Sequence, residues 1–125
     1  MYCARMGAKH KGGISMQEIP QVLQDVISMT NNGDSTGFVD LFDATTGVID
    51  DWGNKYVGSK QIASWNQTDN IGKKSQFTLV DATQESRNQW LLHLAVAGNG
   101  FNGTSPFRFV LTDEGKIASM QIVPD

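Results

Sequence analysis

The chain has 125 residues, the size of one compact domain, which leaves no room for a second catalytic domain. Hydrophobic residues make up 39% and charged residues 18%, with 13 Gly and 3 Pro, a composition that excludes collagen-like and disordered chains. The net charge of -3 provides no overall positive field, so neither nucleic acid nor a membrane surface is an expected partner.

Charge is distributed unevenly. Arg5, Lys9 and Lys11 fall within the first thirteen residues, where no acid occurs, so the other seven basic residues face all thirteen acidic ones downstream. Residues 1–15 read as a flexible basic leader and 16–125 as a single domain. The leader lacks the apolar run of a secretory signal, and no stretch approaches the ~18 apolar residues needed to span a membrane. Cys3 is the only cysteine, which excludes an internal disulfide and makes the cytoplasm the default location.

From Met16 to Thr30, apolar Ile19, Val22, Leu23, Val26, Ile27 and Met29 recur at helical spacing, with Asn31-Asn32-Gly33 as the stop. Asp34 or Ser35 caps a second, shorter helix carrying Phe38, Val39, Leu41 and Phe42. Val48 to Trp52 and Lys55 to Val57 flank Gly53-Asn54 as a small strand-turn-strand, after which Ser59 caps a third helix containing Ile62, Ala63 and Trp65. Four strands complete the chain: Gln76 to Thr83, Gln89 to Gly98, Pro106 to Thr112 and Lys116 to Val123, with Asp113-Glu114-Gly115 as a hairpin turn. Helices first and an antiparallel sheet afterwards define an α+β domain whose helices cover one face of the sheet.

This order, together with Gly33-Asp34, Val39-Asp40-Leu41-Phe42, Val48-Ile49-Asp50-Asp51, Val57-Gly58-Ser59-Lys60-Gln61-Ile62 and Gly115-Lys116-Ile117-Ala118-Ser119-Met120, resembles the nuclear transport factor 2-like (NTF2-like) superfamily. Within it, the chain is most similar to the SnoaL-like and ketosteroid isomerase-like branch, over about Glu18 to Val123. The resemblance implies a cone-shaped α+β barrel, with a strongly bent antiparallel sheet around three helices and a pocket at the open end. It also implies a small, mostly apolar, carbonyl-bearing ligand and cofactor-free isomerase, cyclase or lyase chemistry. The alternative is a non-catalytic module of the same fold that binds a hydrophobic ligand or dimerises, since one fold hosts many functions.

By resemblance, Asp50 stands at the position of the general base. If Asp50 points inward, Val48 and Trp52 share its face while Ile49 and Asp51 point the other way. A carboxylate walled by Trp52 and Trp65 loses hydration and becomes a better proton acceptor. An isomerase also needs donors for the developing enolate oxygen, a tyrosine and a protonated acid in ketosteroid isomerase. Alignment puts Val26 and Phe107 at those two positions. Loss of one such donor commonly costs ~100 to 1,000-fold, which argues against plain steroid isomerisation. Tyr56 and Asn66 are the nearby polar side chains.

The strand from Gln89 has a heavy face of Trp90, Leu92, Leu94 and Val96, expected to look into the cone, and a light face of Leu91, His93, Ala95 and Ala97. The light face, with Arg108 and Val110, is the expected homodimer contact. Phe38, Trp52, Tyr56, Trp65, Trp90, Leu92, Leu94, Phe107, Phe109 and Met120, with Val26, form the expected wall around the ligand, although core packing accounts for most of them. Gly98 to Gly103 matches the G-x-G-x-x-G string, but Pro106 and a strand follow where a nucleotide site needs a helix, so a loop at the pocket rim is expected. The sequence has no Cys/His cluster with metal-site spacing.

Overall fold

A computed structural model describes residues 15–123; most of the basic leader lies outside the described residues. A 3-10 turn at Met16–Glu18 precedes α1 (Gln21–Asn32), so Pro20 divides the predicted first helix into a turn and a helix. Asp34 caps α2 (Ser35–Asp40) by accepting the Gly37 N–H at 2.9 Å. The β1–β2 hairpin (Val48–Asp51, Asn54–Val57) leads into α3 (Gly58–Asp69), which a 3-10 turn at Ile71–Lys73 closes. Ser59 is not its cap: Val57 occupies that position, and the Ser59 hydroxyl donates instead to the Ala44 carbonyl.

Strands β3 (Gln76–Ser86), β4 (Gln89–Ala97), β5 (Gly103–Leu111) and β6 (Ile117–Ile122) form an antiparallel meander, as their alternation predicts. The complete sheet runs β2-β1-β6-β5-β4-β3, and its β1–β6 pair is parallel, so the sheet is mixed rather than wholly antiparallel. Register shifts at Leu79/Asp81, Gln84/Ser86 and Val110/Leu111 place bulges in β3 and near the end of β5, and bulges bend and twist a strand.

Helices and sheet enclose one core. Leu23 and Val26 of α1, Phe38 of α2 and Ile62 and Trp65 of α3 pack against Ile49, Leu92, Leu94, Phe109 and Met120 from the sheet. The end of α1 is pinned to β3 by the Asn31 amide, which donates to the Phe77 carbonyl at 2.9 Å and accepts its N–H at 2.6 Å. The side chain thus replaces a strand partner for that peptide. No described helix is long and apolar enough to cross a membrane.

The sheet's outer face carries the polar pairs. His93 Nδ1 lies 2.6 Å from Asp81 Oδ1, and Arg108 makes a two-point contact with Glu85 at 2.9 and 3.2 Å. The Arg108 hydrogen bonds, followed by that from the Gln89 amide, lower the Glu85 pKa from 4.5 to about 2. A value lower in the folded than in the unfolded chain adds stability that is fully present above the unfolded pKa and is lost as pH falls through the folded one. In urea denaturation, Glu85→Gln should therefore be less stable than the parent at pH 7. The gap should narrow below about 4.5, close near pH 2, and shrink in high salt because the pair is solvent-accessible.

Candidate functional site

Antiparallel pairing brings the start of β3, the end of β4, the start of β5 and the end of β6 to one end of the sheet. Because β1 runs parallel to β6, its last residue, Asp51, arrives at the same end, paired with Ile122. The end of α3 lies over this opening. Between them is a cavity of about 200 Å³ whose wall includes Trp52, Trp65, Phe77, Phe101 and Phe107, with Asp51 as its carboxylate on the sheet.

The carboxylate facing the cavity is Asp51 rather than Asp50, and the structure corrects the expected strand parity. Ile49 is fully buried opposite Tyr56, so the residue two further along, Asp51, shares its inward face. Asp51 Oδ2 accepts the Trp65 indole N–H at 3.0 Å, which orients the carboxylate without neutralising it. Asp50 faces outward between Lys55 and Gln121, and its Oδ1 accepts the Gly53 N–H at 2.8 Å. Its visible role is to brace the turn.

That turn is Trp52-Gly53, one residue earlier than the sequence pattern indicates. Asp51 pairs directly with Asn54, and both loop residues have positive φ, +53° and +94°, as the primed two-residue hairpin turn requires. Asparagine normally fills the first of these positions, and a tryptophan there is costly. Trp52 nonetheless occupies it at the cavity mouth with 57% of its surface exposed, opposite the similarly exposed Phe101. The strained backbone thus places an exposed indole at the cavity mouth.

Of the residues expected to line the pocket, Trp52, Trp65 and Phe107 do so. Val26, Phe38, Trp90, Leu92, Leu94, Phe109 and Met120 are buried in the core instead. Their side chains fill the interior beyond the opening, where Phe38 packs on Phe42 and Trp65 at ring-centroid distances of 5.5 and 6.2 Å. Tyr56 packs against this core and is not part of the cavity wall. The positions aligned with the two missing donors are a buried Val26 and an apolar wall residue, Phe107, whose ring lies 5.5 Å from that of Phe77.

Sequence reasoning missed the polar part of the wall: Asp69, Asn70, Lys73, Ser75 and Ser105. Asn70 belongs to a buried chain in which its amide donates to Asn66 Oδ1 at 3.0 Å and Thr30 Oγ1 at 3.3 Å. Both amide hydrogens are thereby used within the fold. The glycine-rich segment is a hairpin connection at the rim, tied together by the Asn102 side chain, with no helix after it to hold a phosphate. At Gly98 a Cβ would come within 3.0 Å of the Lys73 and Lys74 carbonyls, so glycine permits this loop to lie against the end of the 3-10 turn. Among the described residues, no three His, Cys, Asp or Glu side chains converge as metal ligands.

No protein-family model matches the chain, and no curated protein matches its sequence. Solved structures do match in shape. A polyketide-cyclase candidate from Sinorhizobium meliloti superposes with a TM-score of 0.76 at 18% identity, covering 88% of this chain and 100% of that one. RV0760c from Mycobacterium tuberculosis, in complex with estradiol-17beta-hemisuccinate, gives a TM-score of 0.74 at 15% identity over 84% of this chain and 92% of its own. An NTF2-like protein of unknown function from Cytophaga hutchinsonii gives 0.70 at 14% identity, covering 93% and 95%. The chain has the NTF2-like fold.

Replacing Trp52 with Asn relieves the left-handed strain and installs the preferred Asn-Gly turn. Urea denaturation should show Trp52→Asn to be more stable than the parent by up to ~1 kcal/mol. Aromatic ligands should bind it several-fold more weakly. A clear loss of stability would mean that indole packing outweighs the backbone strain.

Proposed function

We propose that this is a SnoaL-like cavity protein for a small, mostly apolar, carbonyl-bearing molecule, with Asp51 as the proton acceptor in isomerase, cyclase or lyase chemistry. The observation that carries this reading is an aromatic cavity with a carboxylate held on its wall by an indole N–H. Its size narrows the ligand. A cavity of ~150 Å³ holds a benzene ring, whereas sites for drug-sized molecules start at ~300 Å³. At about 200 Å³ this one suits a single substituted ring, smaller than the steroid ester bound by RV0760c.

In this reading Asp51 takes a proton from the carbon beside the ligand carbonyl, and the electron pair of that C–H bond moves towards the carbonyl oxygen. Return of the proton to a conjugated position completes an isomerisation without a cofactor. The cavity wall limits hydration of the carboxylate, and Trp65 keeps it aimed while leaving one oxygen free of that contact.

A ring-sized β,γ-unsaturated ketone, 3-cyclohexen-1-one, tests the reading by its conversion to the conjugated enone, followed by ultraviolet absorbance. Asp51→Asn should lower turnover by ~10²- to 10⁴-fold while aromatic ligands still quench tryptophan fluorescence. Asp50→Asn should stay within about twofold of the parent, since its carboxylate braces the turn from the other face. Binding of ring ligands without turnover would favour the non-catalytic binding module. Absence of both would reject the cavity as a functional site.

The same reading includes a cytoplasmic homodimer formed by the outer sheet face. The register puts His93, Ala95, Arg108 and Val110 on that face, and Ala97 continues the outward row on β4. Small and mixed side chains of this kind permit sheet-to-sheet approach. Light scattering at micromolar concentration should give twice the chain mass, and Ala95→Arg should return it to the mass of one chain. A monomer before substitution would overturn this assembly.

A further inference from the structure

Two serine hydroxyls in the cavity wall have no partner. Ser75 and Ser105 are each only 5% exposed, and neither side chain makes a hydrogen bond to any described residue. Neither hydroxyl is sealed off as a buried orphan, since among the described residues only Asn66 Nδ2 is, so each reaches the cavity surface and is free to bond what lies there. A molecule inside the cavity can take the place of water on both. Lys73 and Asp69 also line the cavity, but both are exposed, and Asp69 accepts the Thr68 hydroxyl at 2.9 Å.

The strand register singles out Ser105. Asp51 pairs with Ile122, Ile122 pairs with Phe107, and Ser105 is the next inward-facing residue on β5 towards the opening. Two strand spacings and one two-residue step separate Asp51 from Ser105, roughly 12 Å between Cα atoms along the sheet. After both side chains extend inward, that span suits one substituted ring. Ser75 precedes β3, whose Gln76 pairs with Ala97, and so approaches the cavity from further around the sheet.

We infer that Ser105 is the hydrogen-bond donor to the ligand's carbonyl oxygen, the group opposite the Asp51 acceptor. This rests on the proposed reading of the cavity and adds the second polar group that proton abstraction beside a carbonyl requires. As Asp51 takes the proton, negative charge develops on the carbonyl oxygen. A hydroxyl already carried on a strand in the cavity wall can turn to that charge without any backbone movement. The donor comes from the sheet two residues before Phe107, not from helix α1.

Acetophenone and α-methylstyrene are close isosteres that differ in carrying C=O or C=CH₂, and both can be titrated by tryptophan fluorescence. Relative to the parent, Ser105→Ala should shift the preference for acetophenone over α-methylstyrene by about tenfold, with α-methylstyrene binding nearly unchanged. Ser105→Thr, which restores the hydroxyl, should recover the parental preference. Thr104→Ala, on the outer face of the same strand, should leave it within about twofold. A preference unchanged in Ser105→Ala, with α-methylstyrene still bound, would overturn this inference alone, and a fall in Ser75→Ala instead would overturn the assignment to Ser105. Failure of both probes to bind the parent would overturn this inference and the cavity reading together.

Discussion

The parallel pairing of β1 with β6 is the contact on which the site depends. A two-stranded hairpin of four residues per strand is marginal by itself, and here it is secured by joining the edge of the longer meander. The register of that pair sets Ile49 beside Met120 in the core and Asp51 beside Ile122 at the opening. A slip by one residue would turn Asp51 outward and send Asp50 in. The neighbouring chain reinforces the pair: Leu41 and Asp43 exchange backbone hydrogen bonds with Ile117, and the Lys116 ammonium donates to the Asp40 carbonyl at the end of α2.

From that pairing the two ends of the interior acquire different characters. Away from the opening, Phe38, Leu92, Phe109 and Met120 are fully buried and pack as core. Towards the opening, the helix α3 ends and the chain turns through Asn70, leaving a cavity between these elements. Polar atoms collect there because a cavity wall, unlike a close-packed core, leaves room for a guest or water to satisfy them. The Thr30–Asn70–Asn66 chain holds that turn to α1, and Asn66 Nδ2 at its inner end is buried without a partner. Such a group is costly to keep and ties the geometry of the α3 end to the packing around it.

Trp52 and Asp50 show how the hairpin serves the cavity. The turn needs two residues in the left-handed region, and Asp50 stabilises it by accepting the Gly53 N–H. A smaller residue would make the turn easier to form. The indole instead extends the aromatic wall past the last strand residue to the mouth, where Phe101 supplies the other exposed ring. One acid therefore maintains the turn while its neighbour faces the cavity, although the two are adjacent in the chain.

The sequence by itself determined the three helices, the four-strand meander and the inward face of β4, because bulky apolar residues there recur at periods that only one orientation can bury. It also determined that the glycine-rich string is no nucleotide loop, since Pro106 and a strand follow it. It did not determine which acid faces inward. In Val48-Ile49-Asp50-Asp51-Trp52 either parity places apolar residues and one carboxylate on a single face, and periodicity alone cannot choose. Tertiary structure decided through the β6 register and the core vacancy that Ile49 fills. It also separated wall from core among the aromatic residues, because all of them have the same sequence signal and only their distance from the open end distinguishes them. Ser75 and Ser105 left no signal at all. A serine in or beside a strand is unremarkable until the fold turns it, with no protein partner, into a cavity wall.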